Sequence, residues 1–284
     1  MKKNNIRKVA GAIMVMSLIT TCAIGTTFAK YTTGSSASDT ARVAKWGVEV
    51  STSGTLFGKQ YKDVIVKSGD DSISVESSNE AKVVAPGTKN DVGMKISIKG
   101  QPEVDYAVSA SYENTYEDIY LAAGEYAIMV KEDGLNDGTL NWTNIYEYNA
   151  GAGEFTVATS YTAGKAYYRA TNILDLDEDY YPIVWSVNGT AQASLKAALD
   201  AMVNGIGNAT YDANTAIDKA YTLTWAWAFE TNDMADTILG NLMAGNTASQ
   251  MVVKKSATGY MLNLGATYNL EVGCSLTIGA TQVD

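Results

Sequence analysis

The sequence predicts a mostly β protein, a jelly-roll-like antiparallel β-sandwich with helices inserted between its strands. Three observations predict this class. The 284-residue chain has 18 tyrosines and is rich in threonine, valine and isoleucine, residue types that favour strands. Short alternating apolar runs are separated by glycine-containing and aspartate-containing turns. Only three prolines are present, and no repeat of roughly 20–50 residues indicates a solenoid or propeller.

Residues 1–29 have the pattern of a secretory signal peptide. Positively charged side chains at the start precede an apolar stretch from about Val9 to Ile24. The cleavage region is Thr27, Phe28, Ala29 and Lys30. Thr27 and Ala29 are the small residues at −3 and −1, and they predict cleavage after Ala29. We therefore expect a secreted protein of the extracellular matrix or cell surface. An uncleaved membrane anchor and a lipoprotein modified at Cys22 are the alternatives.

Residues 30–43 form a polar segment of small side chains that cannot bury a core face of their own. The segment has no proline and is charged only at Lys30, Asp39 and Arg42. Two interpretations stay open: a plain leader before the first strand, or a strand captured by another subunit. The candidate assembly residues are Lys30, Tyr31, Thr32, Thr33, Ala41 and Val43.

Residues 44–284 are expected to form a single domain. Alternating apolar side chains from Ala44 to Val50 predict its first strand. Pro86-Gly87 predicts a turn, and the alternating runs 92–98 and 104–112 predict an antiparallel hairpin. Further strands are expected near 64–66, 73–75, 125–131, 140–148, 154–160, 166–174, 182–188, 221–229, 250–254 and 268–278.

Two segments change from strand spacing to helical spacing. Apolar residues Leu195, Leu199, Met202 and Val203 fall on one stripe and predict a helix over 190–204, ended by Gly205. Met234, Ile238 and Leu242 predict a second helix over 232–243, with Asn232 as its N-cap.

Composition excludes several function classes. The chain has no histidine, which excludes a Ser-His-Asp triad, a Cys-His dyad and histidine-ligated zinc. A net charge of −10 argues against nucleic acid as a partner, because a phosphate backbone needs a basic face. If Cys22 leaves with the signal peptide, Cys274 is the one remaining cysteine, and no disulfide can form within the chain.

Three sequence features resemble one family of exported proteins. The first is the cleavage region Phe28-Ala29-Lys30-Tyr31, which is followed by a run of small residues. The second is Ala85-Pro86-Gly87-Thr88 before an alternating strand. The third, and the most specific, is Thr224-Trp225-Ala226-Trp227-Ala228-Phe229-Glu230 followed by Asp236-Thr237-Ile238-Leu239-Gly240. Together they resemble the TasA/camelysin family, whose members leave the cell through a SipW-type signal peptidase.

The resemblance implies a non-enzymatic structural protein that forms or supports biofilm-matrix fibres in Gram-positive bacteria. It implies a jelly roll in which the N-terminal strand of one subunit inserts into the next, giving a head-to-tail homopolymer. The implied partners are further copies of the chain, other matrix or cell-surface proteins, and the signal peptidase. The matching motif residues are Trp225, Trp227, Phe229, Glu230, Asp236 and Gly240. The metallopeptidase activity attributed to camelysin-type proteins is not expected without histidine.

Three other interpretations of the motifs remain. The acidic turn with Asp175, Asp177 and Asp179 is a weak candidate for calcium, although it lacks the EF-hand pattern, and no cofactor is otherwise expected. Glu230 with Asp233 or Asp236 is a carboxylate pair of the type a hydrolase uses. A monomeric polysaccharide-binding module is the main alternative to a fibre protein, with an aromatic face drawn from Trp225, Trp227, Phe229, Tyr146, Tyr148, Tyr161, Tyr167 and Tyr168.

Overall fold

The computed structural model describes residues 42–58, 62–66, 72–76, 82–116, 118–133, 141–229, 232–262, 264–265 and 267–283. Residues Ala44–Asp284 form one compact unit. The described chain is mostly antiparallel β-structure with two helices, as the sequence predicts.

The largest open sheet has five antiparallel strands in the order β1-β4-β14-β11-β12. Its strands are β1 (Val48–Ser53), β4 (Lys89–Gly100), β14 (Ile217–Trp227), β11 (Ile183–Val187) and β12 (Thr190–Gln192). Alternate residues of the central strand β14, namely Leu223, Trp225 and Trp227, are buried on one face. This period of two is the reason that the aromatic run folds as a half-buried strand.

A three-stranded antiparallel sheet has the order β13-β5-β18. Its strands are β13 (Ala209–Tyr211), β5 (Tyr106–Tyr116) and β18 (Gly273–Gln282). The predicted hairpin between 92–98 and 104–112 is therefore wrong, because β4 and β5 belong to different sheets. Ile96 and Ile98 of β4 share one core with Tyr106 and Val108 of β5. Placing the two strands in separate sheets lets both apolar faces contribute to the same core.

Helix α1 (Leu195–Ile206) contributes to this main core. The Ser194 hydroxyl accepts a hydrogen bond from the Ala197 N–H at 3.0 Å and caps the helix. The helix begins later than predicted and also ends later, before Gly207, which has a positive φ of 82°. Gly205 is internal. A side chain there would lie 2.1 Å from the Tyr221 hydroxyl, so this glycine permits close packing rather than ending the helix.

Helix α2 (Asp233–Ala244) begins at the predicted position. Asn232 precedes it but makes no side-chain capping bond. The buried face consists of Ala235, Ile238 and Leu239, and Met234 is 42% exposed. The buried face therefore includes Ala235 and Leu239, which the predicted apolar stripe did not. Contacts with the sheets decide which side of the helix is buried.

Six further strands close into a small barrel in the order β10-β7-β15-β16-β9-β8. They are β7 (Gly124–Lys131), β8 (Ile145–Asn149), β9 (Glu154–Val157), β10 (Tyr167–Leu176), β15 (Gln250–Lys255) and β16 (Tyr260–Met261). Ala127, Met129, Phe155, Tyr168 and Val253 belong to a separate core. Tyr126, Ile128 and Val252, on the other face of β7 and β15, join the main core. The sequence analysis did not predict this barrel.

Two short antiparallel pairs complete the described strands. They are β2 (Lys62–Val66) with β3 (Ser72–Glu76), and β6 (Tyr120–Leu121) with β17 (Tyr268–Asn269). Neither helix of the described residues has the length and apolarity that crossing a bilayer requires.

Candidate strand-addition site

Two strands lie at sheet edges on the same side of the main core. Among the described residues, β1 pairs only with β4, from Val48 opposite Gly100 to Ser53 opposite Lys95. Strand β18 likewise pairs only with β5. An edge strand presents a row of backbone N–H and C=O groups to any further strand. Strands β1 and β18 approach within 8 Å at some of their Cα atoms, so the two edges are neighbours.

Several apolar residues along these two edges are incompletely covered. Val50 is 38% exposed, whereas Ile98, its cross-strand partner on β4, is 1% exposed. Val48, Leu276, Ile278 and Ala280 pack against the main core but are only partly buried. Partly exposed apolar side chains therefore lie along β1 and β18, and an added strand with alternating apolar side chains would cover them.

Strand β18 has no charged side chain and no proline to protect its edge, and its only irregularity is a register shift against β5 between Gly273 and Cys274. The strand has ten residues, Gly273–Gln282. Natural edge strands are commonly shielded by lysine, proline or a bulge, because a long uncharged edge invites pairing with another chain. The sequence analysis predicted a strand here without recognising it as an edge. The uncharged alternation of Cys274, Leu276, Ile278 and Ala280 is the signal that was available.

The chain leading into β1 is held by a reciprocal pair of hydrogen bonds. The Lys45 N–H donates to Glu103 Oε2 at 2.9 Å, and the Glu103 N–H donates to the Lys45 carbonyl at 2.8 Å. Trp46 is half-buried and packs against the main core. Gly47 then takes a positive φ of 53° before β1 begins.

Most of the predicted assembly and cleavage residues lie outside the described residues. This holds for the cleavage run Thr27–Lys30 and for Tyr31, Thr32, Thr33 and Ala41. Val43 is described and is 73% exposed. Of the segment 30–43, residues 42 and 43 are described, and the edges of β1 and β18 are described in full.

The Trp225 and Trp227 block is part of the main core. Both indoles are buried, and Trp225 Nε1–H donates to the Leu56 carbonyl at 2.7 Å. Trp227 Nε1–H donates to Asp236 Oδ1 at 3.1 Å, joining two parts of the motif across nine positions. Phe229 is half-buried, Gly240 is exposed on α2, and Glu230 lies outside the described residues. The described part of the motif thus ties α2 to the end of β14 through one side-chain hydrogen bond.

Burial raises the pKa of Asp236 above its ordinary value of 3.8. Oδ1 accepts hydrogen bonds from the Tyr180 hydroxyl at 2.7 Å and from Trp227, but Oδ2 is buried without a partner. Burial and the bond to Asp236 also raise the pKa of Tyr180, so this hydroxyl keeps its proton. The charged carboxylate is therefore less favourable here than in the unfolded chain.

We expect Asp236 to make the stability of the fold depend on pH. Its raised folded-state pKa means that the folded chain binds this proton more tightly, so its contribution favours folding at low pH. That contribution declines as the pH rises from 3.8 through the higher folded-state value. Urea unfolding of the wild type and Asp236→Asn across pH 3.5–8 measures it. We expect the wild type to lose stability relative to Asp236→Asn as the pH rises; a constant difference would contradict this.

The acidic turn between the barrel and the five-stranded sheet is exposed. Asp175, Asp177 and Asp179 all have solvent-accessible side chains, and Asp179 Oδ1 accepts a hydrogen bond from the Ala123 N–H at 2.8 Å. Within the described ranges, no three histidine, cysteine, aspartate or glutamate side chains are grouped to hold a metal ion.

The tyrosines considered for a glycan-binding face pack against other aromatic rings. Tyr167 and Tyr168 are buried, and Tyr148 stacks on Phe155 at 4.5 Å between ring centroids. Tyr146 contacts the edge of Tyr260 at 5.3 Å, and Tyr161 lies 5.9 Å from Tyr167. These five side chains therefore form cross-strand packing in and around the barrel and do not form one exposed platform.

Cys274 lies at the start of β18 with its thiol largely shielded. Burial raises the pKa of this thiol to about 11, so at neutral pH it is protonated and slow to react. It is a free cysteine and packs against the main core as a small apolar side chain.

The chain matches no protein-family profile, no curated protein and no solved structure.

Proposed function

We propose that this protein is a secreted structural protein that forms or supports extracellular fibres, of the kind found in a biofilm matrix. In this proposal its subunits join by β-strand addition, and a second copy of the chain supplies the added strand. One observation carries the proposal: the uncharged edge strand β18 lies beside the edge strand β1, and the core between them is incompletely covered. A head-to-tail contact of this kind does not close, so it propagates into a filament.

The N-terminal segment 30–43 is our candidate for the added strand. Fourteen extended residues span roughly 46 Å, and the ten residues of β18 span roughly 33 Å, so the segment is long enough to pair along the whole edge. The segment's low charge and lack of proline suit a strand that pairs along an uncharged, partly apolar edge. Backbone hydrogen bonds would supply affinity, and apolar side chains would fix the register.

The proposal extends to fold, export and partners. We assign the two open sheets to a jelly-roll-like sandwich, to which the barrel is an addition. A signal peptidase of the SipW type would release the chain after Ala29, in line with the family resemblance. Other matrix or cell-surface proteins would bind the polymer. We assign no catalytic role and no cofactor to the chain.

The decisive experiment compares two chains by negative-stain electron microscopy. One begins at Lys30, and the other lacks residues 30–42. We expect fibres from the first chain and dispersed particles from the second, because only the first carries the added strand. A third chain, in which residues 30–42 are replaced by a glycine-serine segment of equal length, controls for chain length and should not form fibres.

Other results would change the proposal in defined ways. Fibres from all three chains would retain the structural role but eliminate the N-terminal strand as the linking element. Dispersed particles from all three, across a range of salt and calcium concentrations, would favour the monomeric polysaccharide-binding module. Retention of these particles on a polysaccharide column would then support that alternative.

A further inference from the structure

Tyr120 and Tyr181 form a pair of tyrosine rings that has no part in the proposed assembly. Their ring centroids lie 5.7 Å apart, a separation typical of packed aromatic side chains, and the ring planes are tilted by 33°. Tyr181 is 46% exposed, and Tyr120 is partly buried. The two rings therefore contact each other and are also accessible from the solvent.

The backbone that carries the two rings is fixed by hydrogen bonds. The Leu121 N–H donates to the Tyr180 carbonyl at 3.0 Å, and the Tyr180 N–H donates to the Leu121 carbonyl at 2.8 Å. Leu121 is buried, and the Tyr180 hydroxyl donates to Asp236. Because side chains alternate between the faces of a strand, Tyr120 and Tyr181 lie together on the opposite face. The fold therefore holds these two rings side by side.

Each of the other tyrosine pairs in ring contact, among the residues that the structure describes, contains a buried ring. Tyr161 and Tyr167 have almost the same geometry, with centroids 5.9 Å apart and a tilt of 36°. However, Tyr167 is 3% exposed, and its hydroxyl accepts a hydrogen bond from the Thr162 N–H at 2.7 Å. The remaining pairs contain the buried rings of Tyr106, Tyr168 and Tyr260. An oxidant in solution therefore reaches both rings most easily in the pair Tyr120 and Tyr181.

We infer that Tyr120 and Tyr181 are an oxidative cross-linking site, at which a haem peroxidase with hydrogen peroxide joins the two rings as dityrosine. Each phenol loses one electron and its hydroxyl proton and becomes a phenoxyl radical. The radicals couple through a new bond between two ring carbons, each adjacent to a carbon that bears oxygen. The hydrogen on each coupled carbon then moves to the oxygen of its ring, which restores both hydroxyls. The two electrons and two protons that were lost reduce one hydrogen peroxide to two waters.

The cross-link would close the chain around most of the barrel. Between residues 120 and 181 lie β7, β8, β9 and β10, which are four of the six barrel strands. A covalent bond that closes a chain segment restricts the unfolded state more than the folded state, and it therefore stabilises the fold. Coupling within one chain is favoured over coupling between chains, because the rings are already in contact. This inference goes beyond the proposed function and does not depend on fibre formation.

The test treats the chain that begins at Lys30, at low protein concentration, with a haem peroxidase and limiting hydrogen peroxide. We expect one main dityrosine in monomeric protein, and mass spectrometry of a digest should locate it between Tyr120 and Tyr181. Tyr120→Phe and Tyr181→Phe should each lower the dityrosine fluorescence at least tenfold, because phenylalanine has no hydroxyl hydrogen to lose. The circular dichroism spectra of both variants should match the wild type.

Tyr161→Phe is the matched control. It removes one hydroxyl from a tyrosine pair with nearly the same ring geometry but with a buried partner. Its dityrosine yield should equal that of the wild type. Cross-linked wild type should also unfold at a higher urea concentration than untreated wild type, whereas the same treatment should not raise the unfolding midpoint of Tyr181→Phe.

Three outcomes would overturn the inference. Equal dityrosine yields in Tyr120→Phe, Tyr181→Phe and the wild type would show that coupling occurs at other tyrosines. Dityrosine that forms mainly between chains would show that the fold does not favour this pair, and absence of dityrosine would show that the pair does not react. None of these outcomes bears on fibre formation, which the electron microscopy of the chain beginning at Lys30 tests separately.

Discussion

Trp225→Ala is expected to lower the free energy of unfolding by about 3–5 kcal/mol, the usual cost of removing a fully buried large aromatic side chain. Trp225 is 2% exposed at the centre of the five-stranded sheet. Its ring centroid lies 5.9 Å from that of Phe57, and its indole N–H bonds to the Leu56 carbonyl. The substitution leaves a cavity and removes one of two hydrogen bonds to the Leu56 carbonyl, which also accepts from the Asn90 side-chain amide at 2.9 Å.

Urea unfolding followed by circular dichroism measures this loss. Val92→Ala is the control, because Val92 is 67% exposed on the neighbouring strand β4 and should change stability by less than about 0.5 kcal/mol. Trp225→Phe, which keeps most of the ring volume but loses the hydrogen bond, should lie between the two. A change below about 1 kcal/mol in Trp225→Ala would show that this block is not core.

Ile278→Lys is expected to abolish fibre formation while leaving a folded monomer. Ile278 lies opposite Ala110 on the core-facing side of β18 and is only partly buried. In the monomer Ile278 is partly exposed, so a lysine stem can lie along the apolar surface and hold its ammonium group in water. An added strand would enclose that ammonium group at a cost of several kcal/mol, which raises the concentration needed for assembly a hundredfold or more.

Thr277→Lys is the matched control for this prediction, because it adds the same charge to the same strand at an exposed position on the other face. Sedimentation and electron microscopy should find fibres of Thr277→Lys near the wild-type concentration and none of Ile278→Lys. The circular dichroism spectra of both monomers should match the wild type. Normal assembly of Ile278→Lys would exclude the edge of β18 as the contact between subunits.

Strands with clear alternation were the most predictable part of the fold. The pattern of Leu223, Trp225 and Trp227 identifies a half-buried strand, because side chains in a strand point alternately to opposite faces. The start of α2 was also predictable from the spacing of Ile238 and Leu242 and from the position of Asn232. These features depend on local geometry, which a single segment of sequence specifies.

Pairing between distant strands was less predictable. The alternating runs in β4 and β5 look alike whether they form one hairpin or belong to two sheets, since each presents one apolar face in either arrangement. Closure of the barrel likewise depends on pairs such as β15 with β7, whose residues are far apart in the chain. The contact between Trp227 and Asp236 required the position of α2 on the sheet.

The sequence alone predicted the strand-rich class and an export signal, and it excluded histidine chemistry. Composition and local periodicity are sufficient for these conclusions. Only the tertiary structure decided which strands are edges, because an edge is defined by the absence of a neighbour and not by its own residues. It also brought β1 beside β18 and tied Lys45 to Glu103. The candidate assembly site therefore depends on long-range packing of segments whose individual patterns are ordinary.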